Sequence, residues 1–330
     1  MNEIDNINDK IFKKAIGAPQ SAIKFLRKVL PEQIKKRIDF STIEIGPTDY
    51  VSLEFKEYFS DVIIKTQIRS KDGGQIPTDI CFILEHKTEA KVKIFIQFLK
   101  YMVEEWQKDI AEQMPLRIII PVLFYHGKKE WKIPQAFVEH FDVDDELKEF
   151  LLNYRYFLFD TRSWDFRGES NKELRDDVFL LTALALMKCA YTDETETIEE
   201  IFKFWHEKGF TEAIEDIVFF LIYISETKNI SRDRLKKMLE KSKIDGGDIM
   251  ETLAQQLRDE GRRIGLEEGM KEGMKEGMKE GIKEGMKEGM KEGKMYTAWE
   301  LMKRGIDIDI IAAATGFAKK EIEKLAATVH

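Results

Sequence analysis

Residues 61–87, with the sequence DVIIKTQIRSKDGGQIPTDICFILEHK, contain the pattern that decides the fold. The β-branched run at 62–69 predicts a strand, and the glycines at the end of 71–74 predict a turn. The uninterrupted apolar run at 80–84 is typical of a buried strand. Two strands separated by a turn are therefore predicted.

The flanking segments extend this pair into a larger α/β unit. Residues 91–111 have apolar side chains at helical spacing, and 117–125 predicts a further buried strand that Pro121 interrupts. A helical segment precedes residue 40, and a weak strand is predicted near 43–45. The resulting order, α-β-β-β-α-β, predicts an α/β fold with a mixed sheet flanked by helices.

Four regions are predicted along the 330 residues. Segment 141–245 has helical patterns and no strand signals, and a glycine repeat and a short helical hairpin follow it. The predicted regions are the α/β core at 1–140, a helical subdomain at 141–250, a repeat helix or spacer at 251–295, and the hairpin at 296–330.

The repeat places glycine at every fourth position from Gly261 to Gly293, and from Met270 its unit is Met-Lys-Glu-Gly. Lysine and glutamate three residues apart stabilise a helix by a few tenths of a kcal/mol per pair, whereas each glycine costs about 0.8–1 kcal/mol relative to alanine. An isolated helix is therefore marginal. Two interpretations stay open: a helix that pairs with a second copy in a homodimer, or a flexible spacer.

The last segment predicts a helix over 308–314, a turn over 315–317 and a second helix over 318–327. A DNA-binding helix-turn-helix has this outline. Residues 296–330 contain five basic and five acidic side chains, however, and phosphate binding favours a basic excess. We therefore favour a docking or dimerising hairpin.

Composition excludes several classes of protein. A net charge of −8, with 43% hydrophobic and 35% charged residues, is unlike a disordered or collagen-like chain, and two cysteines exclude a disulfide scaffold. The longest uncharged stretch, 178–187, is half the length that a membrane helix needs, about 20 residues. With a polar, acidic N-terminus as well, we expect a cytoplasmic protein and no membrane partner.

Basic residues are concentrated near the N-terminus. Residues 1–40 contain nine basic and five acidic side chains in an otherwise acidic chain. Two interpretations stay open, a solvated helix face or a surface that contacts phosphates. On the second, Lys10, Lys13 and Lys14 are candidate nucleic-acid contacts.

A possible catalytic constellation lies in the α/β region: Asp61, Glu85, Lys87, Gln97 and Tyr101. Asp61 opens one predicted strand and Glu85 ends the next, so their carboxylates suit a hard cation such as Mg²⁺. Lys87 follows at the spacing that shares a strand face, where it can orient water or offset phosphate charge. Since Glu-x-Lys recurs elsewhere in the chain, the spacing alone favours an ordinary surface salt bridge.

Several separated motifs, in order, resemble the Rpn family of recombination-promoting nucleases, also called YhgA-like putative transposases, of the PD-(D/E)XK nuclease superfamily. The motifs are Asn8-Asp9-Lys10-Ile11-Phe12-Lys13, Ser60-Asp61-Val62, Leu84-Glu85-His86-Lys87-Thr88, Gln97-Phe98-Leu99-Lys100-Tyr101-Met102 with Trp106, and Pro121-Val122-Leu123-Phe124-Tyr125-His126-Gly127 with Trp131. The resemblance covers about 8–245 and implies a PD-(D/E)XK-type core.

The resemblance also implies a Mg²⁺-dependent DNA endonuclease, with Mn²⁺ as a possible substitute. It implies that Asp61 and Glu85 ligate the metal, that Lys87 is the catalytic lysine, and that Gln97 and Tyr101 support the site and contact nucleic acid. Asn8 stands where the family frequently has histidine, which predicts weaker activity if that histidine contributes directly. The alternative is a catalytically silent module that uses a nuclease-like fold to bind DNA or protein.

Overall fold

A computed structural model describes residues 3–46, 62–85, 93–191 and 195–327. The chain divides into two compact units, 1–254 and 255–330. In the described part of the chain, no helix is both long enough and apolar enough to span a membrane.

The first unit contains five strands and most of the helices. The strands are β1 (Ile38–Ile45), β2 (Val62–Arg69), β3 (Gln75–Glu85), β4 (Ile118–Tyr125) and β5 (Phe157–Asp160). The helices are α1 (Glu3–Ile16), α2 (Pro19–Val29), α3 (Glu32–Lys35), α4 (Lys93–Ala111), α5 (Asp145–Lys148), α6 (Val178–Cys189), α7 (Thr195–Glu207), α8 (Ile214–Lys228) and α9 (Arg232–Lys241). Short 3₁₀ turns lie at Phe137–His140, Thr161–Ser163, Glu169–Leu174 and Phe210–Glu212.

The five strands form one mixed sheet in the order β1-β2-β3-β4-β5. β1, β2 and β3 are antiparallel neighbours, whereas β3, β4 and β5 run parallel. In the turn between β2 and β3, Gly73 has a φ of +84°, a conformation that glycine adopts without strain. The predicted mixed sheet with flanking helices is confirmed.

Helix α4 covers one face of the sheet. Its apolar spacing buries Phe95, Phe98 and Met102 in a core that also contains Cys81 and Leu123 from β3 and β4. Because β3 and β4 are parallel, α4 must return along the sheet, so its first turns lie nearest the end of β3.

Aromatic side chains fill the opposite face, against α1 and α2. Phe12 and Phe25 from these helices meet Phe82, Phe124 and Phe159 of the sheet, with ring centroids 4.8–6.0 Å apart. Ring pairs at these separations contribute about 0.5–1.5 kcal/mol each beyond their area burial. The sheet is thus covered on both faces.

Two strand predictions are corrected. The prediction that no strand follows residue 141 is wrong, because β5 pairs in parallel with β4 from Val122↔Phe157 to Tyr125↔Asp160. The predicted interruption at Pro121 is also wrong, since β4 runs through it. β5 pairs with β4 only from Val122 onward, so Pro121 lies just outside that ladder.

Helices α6–α9 follow the sheet and bury their own aromatic and aliphatic core, which includes Trp205 and Phe220 at a ring separation of 5.8 Å. The Asp177 carboxylate accepts a hydrogen bond of 3.0 Å from the Leu180 amide and so caps α6.

The repeat forms part of one helix, α10, which spans Gly247–Lys303, a length of 57 residues. The second unit continues with α11 (Ile308–Thr315) and α12 (Lys319–Ala327), in agreement with the predicted hairpin. Ala298, Ile311 and Ile322 form its small buried core. Gly316 ends α11 at a φ of +74°, the left-handed conformation typical of a helix C-terminus.

Candidate active site

The predicted catalytic residues lie at the edges of the described segments. Asp61 and Lys87 fall outside the described residues. Glu85 is the last residue of β3, and its backbone pairs with Tyr125 of β4. The start of β2 is adjacent, because Val62 pairs with Phe82 of β3 in the antiparallel ladder. The candidate site therefore lies where β2 begins and β3, β4 and β5 end.

One row of residues crosses three strands at this end of the sheet. Glu85 pairs with Tyr125, and Tyr125 pairs with Asp160 at the end of β5. Parallel strands lie about 4.8 Å apart, so the backbones of Glu85 and Asp160 are separated by roughly 10 Å. Asp160 is not among the predicted site residues, because the sequence pattern does not predict β5.

Asp160 holds a cation beside this row. The Arg162 guanidinium donates to both carboxylate oxygens of Asp160, with Nε 3.0 Å from Oδ1. The same guanidinium lies 5.8 Å from the centre of the Tyr125 ring. The hydrogen bonds that Arg162 donates to Asp160 raise the pKa of Arg162 above its ordinary value. A guanidinium that is paired with Asp160 is therefore present at the end of the sheet where Glu85 lies.

Tyr101 occupies a buried position farther along the sheet. Its hydroxyl donates a 2.9 Å hydrogen bond to Asp79 Oδ2, and the side chain is 7% exposed. Desolvation, followed by the nearby Cys81 and Asp79, raises the pKa of Tyr101 far above its ordinary value. Asp79 is six residues before Glu85, which is about 20 Å along a strand. This geometry favours a supporting role for Tyr101.

Arg117 completes a charged cluster around Asp79. Its guanidinium lies 3.1 Å from Asp79, 2.9 Å from Glu105 and 2.5 Å from Asp109. These hydrogen bonds hold the pKa of Asp109 below its usual value and raise that of Arg117. The cluster joins β3 to α4 and to the segment that enters β4.

This cluster is a structural clamp. Asp79, Glu105 and Asp109 are all buried, and Arg117 takes the position between them that a cation would need. Among the residues that the structure describes, no group of three or more histidine, cysteine or acidic side chains has the geometry of a metal site.

Gln97 lies one helical turn before Tyr101 on α4 and is half-buried. Four residues of helix span about 6 Å, so Gln97 lies nearer than Tyr101 to the Glu85 end of the sheet. The predicted contact of Gln97 with nucleic acid stays a prediction.

The candidate basic contacts differ in their surroundings. Lys10 is exposed and Lys13 is half-buried. Lys14 lies 2.9 Å from Asp216 of α8, and its ammonium group is 4.4 Å from the centre of the Phe219 ring. Lys14 thus connects α1 to α8, while the predicted nucleic-acid contacts of all three lysines stay predictions.

Asn8 is part of the interior of the first unit. Its amide donates a 3.1 Å hydrogen bond to the Tyr191 hydroxyl, and its carbonyl accepts a 2.5 Å bond from Tyr223. With 2% of its surface exposed, Asn8 joins α1 to the helices that follow the sheet. Its contacts are those of a packing residue.

Comparison with known proteins shows which family this chain resembles. The model of the family described as "Putative transposase, YhgA-like" matches residues 6–216, which is more than half of the chain. No solved structure matches the chain significantly.

Three relatives come from Escherichia coli. The "Inactive recombination-promoting nuclease-like protein RpnE" of strain K12 is 24% identical over 264 residues, which cover 78% of this chain and 83% of the relative. "Recombination-promoting nuclease RpnD" of O157:H7 is 24% identical over 37% of this chain and 46% of its own length. "Recombination-promoting nuclease RpnA" of strain K12 is 28% identical over 36% and 40%, respectively. The family model covers both the sheet and the first helices of this chain. The chain therefore belongs to the YhgA-like putative transposase family, whose members include the Rpn proteins.

Proposed function

We propose that this protein is a metal-dependent DNA endonuclease with a PD-(D/E)XK-type core, in which Asp61 and Glu85 hold Mg²⁺ and Lys87 assists the reaction. The observation that carries the proposal is the ladder between β2 and β3, in which Val62 lies opposite Phe82. The names of RpnD and RpnA as nucleases support the same activity.

Chain connectivity supports a shared role for the two proposed metal ligands. Asp61 is bonded to Val62, and consecutive α-carbons are about 3.8 Å apart. Val62 pairs with Phe82, and Glu85 is three residues farther along β3, which is about 10 Å. On this basis we propose that the Asp61 and Glu85 carboxylates share one ion.

The donor set fits the proposed ion. Mg²⁺ prefers carboxylate and water oxygens and commonly takes one or two carboxylates from the protein. When bound, the ion supplies an activated water and neutralises charge that develops on the phosphate. Asp61 and Glu85 provide the carboxylates, and Mn²⁺ has similar ligand preferences.

The other residues have supporting roles in this proposal. Lys87 orients the attacking water and offsets phosphate charge, and Gln97 faces the substrate from α4. Tyr101 fixes α4 on β3 through Asp79, and Arg162 presents a positive charge to the backbone of the bound strand. Lys10 and Lys13 are proposed to contact more distant phosphates, while Lys14 supports α1 through Asp216.

A second candidate is a catalytically silent module that binds DNA or protein. The relative that aligns with 78% of this chain is named inactive, which favours this alternative specifically. The nuclease turns over DNA and the silent module does not, so one cleavage assay separates the two candidates.

The assay uses purified full-length protein and supercoiled plasmid with Mg²⁺, Mn²⁺ or EDTA. Wild type is compared with Glu85→Gln, Lys87→Ala and the matched control Lys71→Ala, which changes an exposed lysine in the β2–β3 turn. We expect metal-dependent nicking or linearisation by wild type and the control, and none by the other two. Folded wild type that binds plasmid and cuts it with neither metal would support the silent module.

We also propose that the protein is cytoplasmic and that two copies pair through the second unit. The repeat exposes an apolar series along α10 that includes Met274 at 79% and Met286 at 66% exposure. The glycines between these side chains have open space around them, which allows close approach of a second helix. Alternating lysine and glutamate provide complementary charge.

A further inference from the structure

A cleft of about 640 Å³ lies on the first unit, away from the candidate active site. It opens between α2, α3, the start of β1 and the 3₁₀ turn Glu169–Leu174. Its lining includes six cationic side chains: Lys24, Arg27, Lys28, Lys35, Lys36 and Lys172.

The cleft has a strong positive excess in an acidic protein. Glu32 and Glu173 are the acidic residues among the described lining residues, and Asp177 lies 3.7 Å from Lys24, so the six cations exceed these acids by three while the whole chain has a net charge of −8. Like charges concentrated in a concave surface focus the field there and attract anions from solution.

Local contacts hold part of the cleft in a fixed shape. The Lys35 ammonium lies 2.5 Å from Glu32 and donates a 2.8 Å hydrogen bond to the Arg27 carbonyl. The Arg27 guanidinium lies 5.0 Å from the centre of the Phe40 ring. These contacts join α2, α3 and β1, so Arg27 and Lys35 are positioned before any ligand binds.

Burial and a neighbouring positive charge both act on Lys28 in the cleft. Partial burial and the proximity of Lys35 lower the pKa of Lys28 below its ordinary value. A bound anion would relieve this repulsion, because opposite charge favours the protonated lysine.

Sheet register gives the distance between the cleft and the candidate active site. Ile38, at the start of β1, pairs with Ile68 near the end of β2. β2 begins at Val62, six residues earlier, which is about 20 Å along the strand. The cleft and the proposed catalytic residues therefore lie at opposite ends of the sheet.

We propose that this cleft binds the phosphate backbone of a nucleic acid at a point remote from the bond that is cut. Several cations spread over two helices and an adjoining turn match a row of phosphates better than a single small anion. The identification of the polyanion as DNA rests on the proposed function, whereas the anion-binding role of the cleft stands on its lining.

The test measures binding of a fluorescent duplex DNA of about 30 base pairs to the full chain in EDTA, so that cleavage plays no part. Wild type is compared with the double variant Lys28→Glu/Lys36→Glu and with the matched control Lys236→Glu/Lys237→Glu. Both control lysines are exposed on α9, so the control makes the same change in net charge outside the cleft.

We expect the cleft variant to weaken Kd at least tenfold and the control to change it less than twofold. The slope of log K against log salt should lose about two units, since each phosphate contact contributes about 0.9. The neutral pair Lys28→Gln/Lys36→Gln should reproduce the loss, and circular dichroism establishes that each variant is folded.

Equal Kd values for the cleft variant and the control would overturn the proposal, as would failure of wild type to bind the duplex. Binding of ATP but not of DNA in the cleft would overturn the nucleic-acid assignment. Wild type that binds DNA through the cleft but cuts none with Mg²⁺ would uphold this inference while the proposed nuclease fails.

Discussion

The Tyr101 hydroxyl donates a 2.9 Å hydrogen bond to Asp79 and thereby connects the middle of α4 to the middle of β3. The same carboxylate accepts a hydrogen bond from Arg117, the residue immediately before β4. The Asp79 side chain thus holds helix α4 against β3, the strand that ends at Glu85.

Replacement of Tyr101 by phenylalanine should destabilise the first unit. The variant leaves a buried carboxylate with one donor fewer, which costs about 1–3 kcal/mol of unfolding free energy. Urea unfolding followed by circular dichroism measures the change, with Tyr296→Phe on exposed helix α10 as the control. Equal midpoints for the two variants would show that the hydrogen bond contributes nothing.

Removal of the Arg117 charge should have a larger effect. Arg117→Met leaves Asp79, Glu105 and Asp109 buried without their shared cation, and breaking such a set typically costs about 3–5 kcal/mol. Arg232→Met, at an exposed position, is the control. A loss below about 1 kcal/mol in urea titrations would contradict the clamp.

Stability should fall in acid as the Asp109 carboxylate protonates. Hydrogen bonds from Arg117 hold the pKa of Asp109 below its ordinary value, about 3.9. Because the folded-state pKa is depressed, the contribution is full above pH 4 and disappears as pH falls through the lower, folded-state pKa.

Melting temperatures between pH 2 and 7 test this for wild type, Asp109→Asn and the exposed control Asp72→Asn. The advantage of wild type over Asp109→Asn should be largest at neutral pH and should shrink below about pH 4. A constant difference across the range would exclude Asp109 as the titrating group.

Two glycines of the repeat offer a test of the proposed homodimer. The positions that a methyl group would take at Gly277 and Gly281 are open, so alanine there should stabilise an unpaired helix by about 0.8–1 kcal/mol per site. If a second copy lies against the glycines, the same methyl groups will hinder its approach.

We expect Gly277→Ala/Gly281→Ala to increase helicity and weaken the dimer, with Lys279→Ala as the control. Circular dichroism and light scattering measure the two quantities on the same samples. An unchanged molar mass, with greater helicity, would place any pairing surface elsewhere than on these glycines.

Loss of the Arg162 charge should reduce DNA cleavage if the proposed nuclease is correct. Arg162→Gln removes the cation that binds Asp160, and Asp160 lies in the row of paired residues that also contains Tyr125 and Glu85. Removal of one group that stabilises transition-state charge commonly costs about 10²-fold in kcat. Single-turnover cleavage separates this from weaker binding, and Lys71→Ala is the control. Equal single-turnover rates would remove Arg162 from the site.

Much of the fold follows from local patterns in the sequence. The β-branched run of β2 and the helical spacing of α4 predicted those two elements within a few residues, whereas the apolar run at 80–84 predicted only the second half of β3, which begins at Gln75. β5 could not be predicted, because four residues following an irregular segment form a strand only where β4 provides a partner.

For the charged clusters, too, spacing within one helix can be predicted from the sequence, whereas contacts between different elements cannot. The i,i+4 spacing of Glu105 and Asp109 on α4 is visible in the sequence, but their union with Asp79 through Arg117 requires the sheet register. The basic excess of residues 1–40 was also visible. The sequence did not show which of those cations lie close together. In the structure the cleft is lined by cations of α2 and α3, and α1 contributes none of them.

Helix α10 has a further consequence at the level of the gene. Each four-residue unit adds about 6 Å to the helix and turns it by about 40° relative to the preceding unit. Consecutive identical units are prone to slippage during DNA replication, so we expect their number to vary among close isolates. Gain or loss of a unit would lengthen or shorten the α10 rod in fixed steps, with its rotational phase changed by the same step each time.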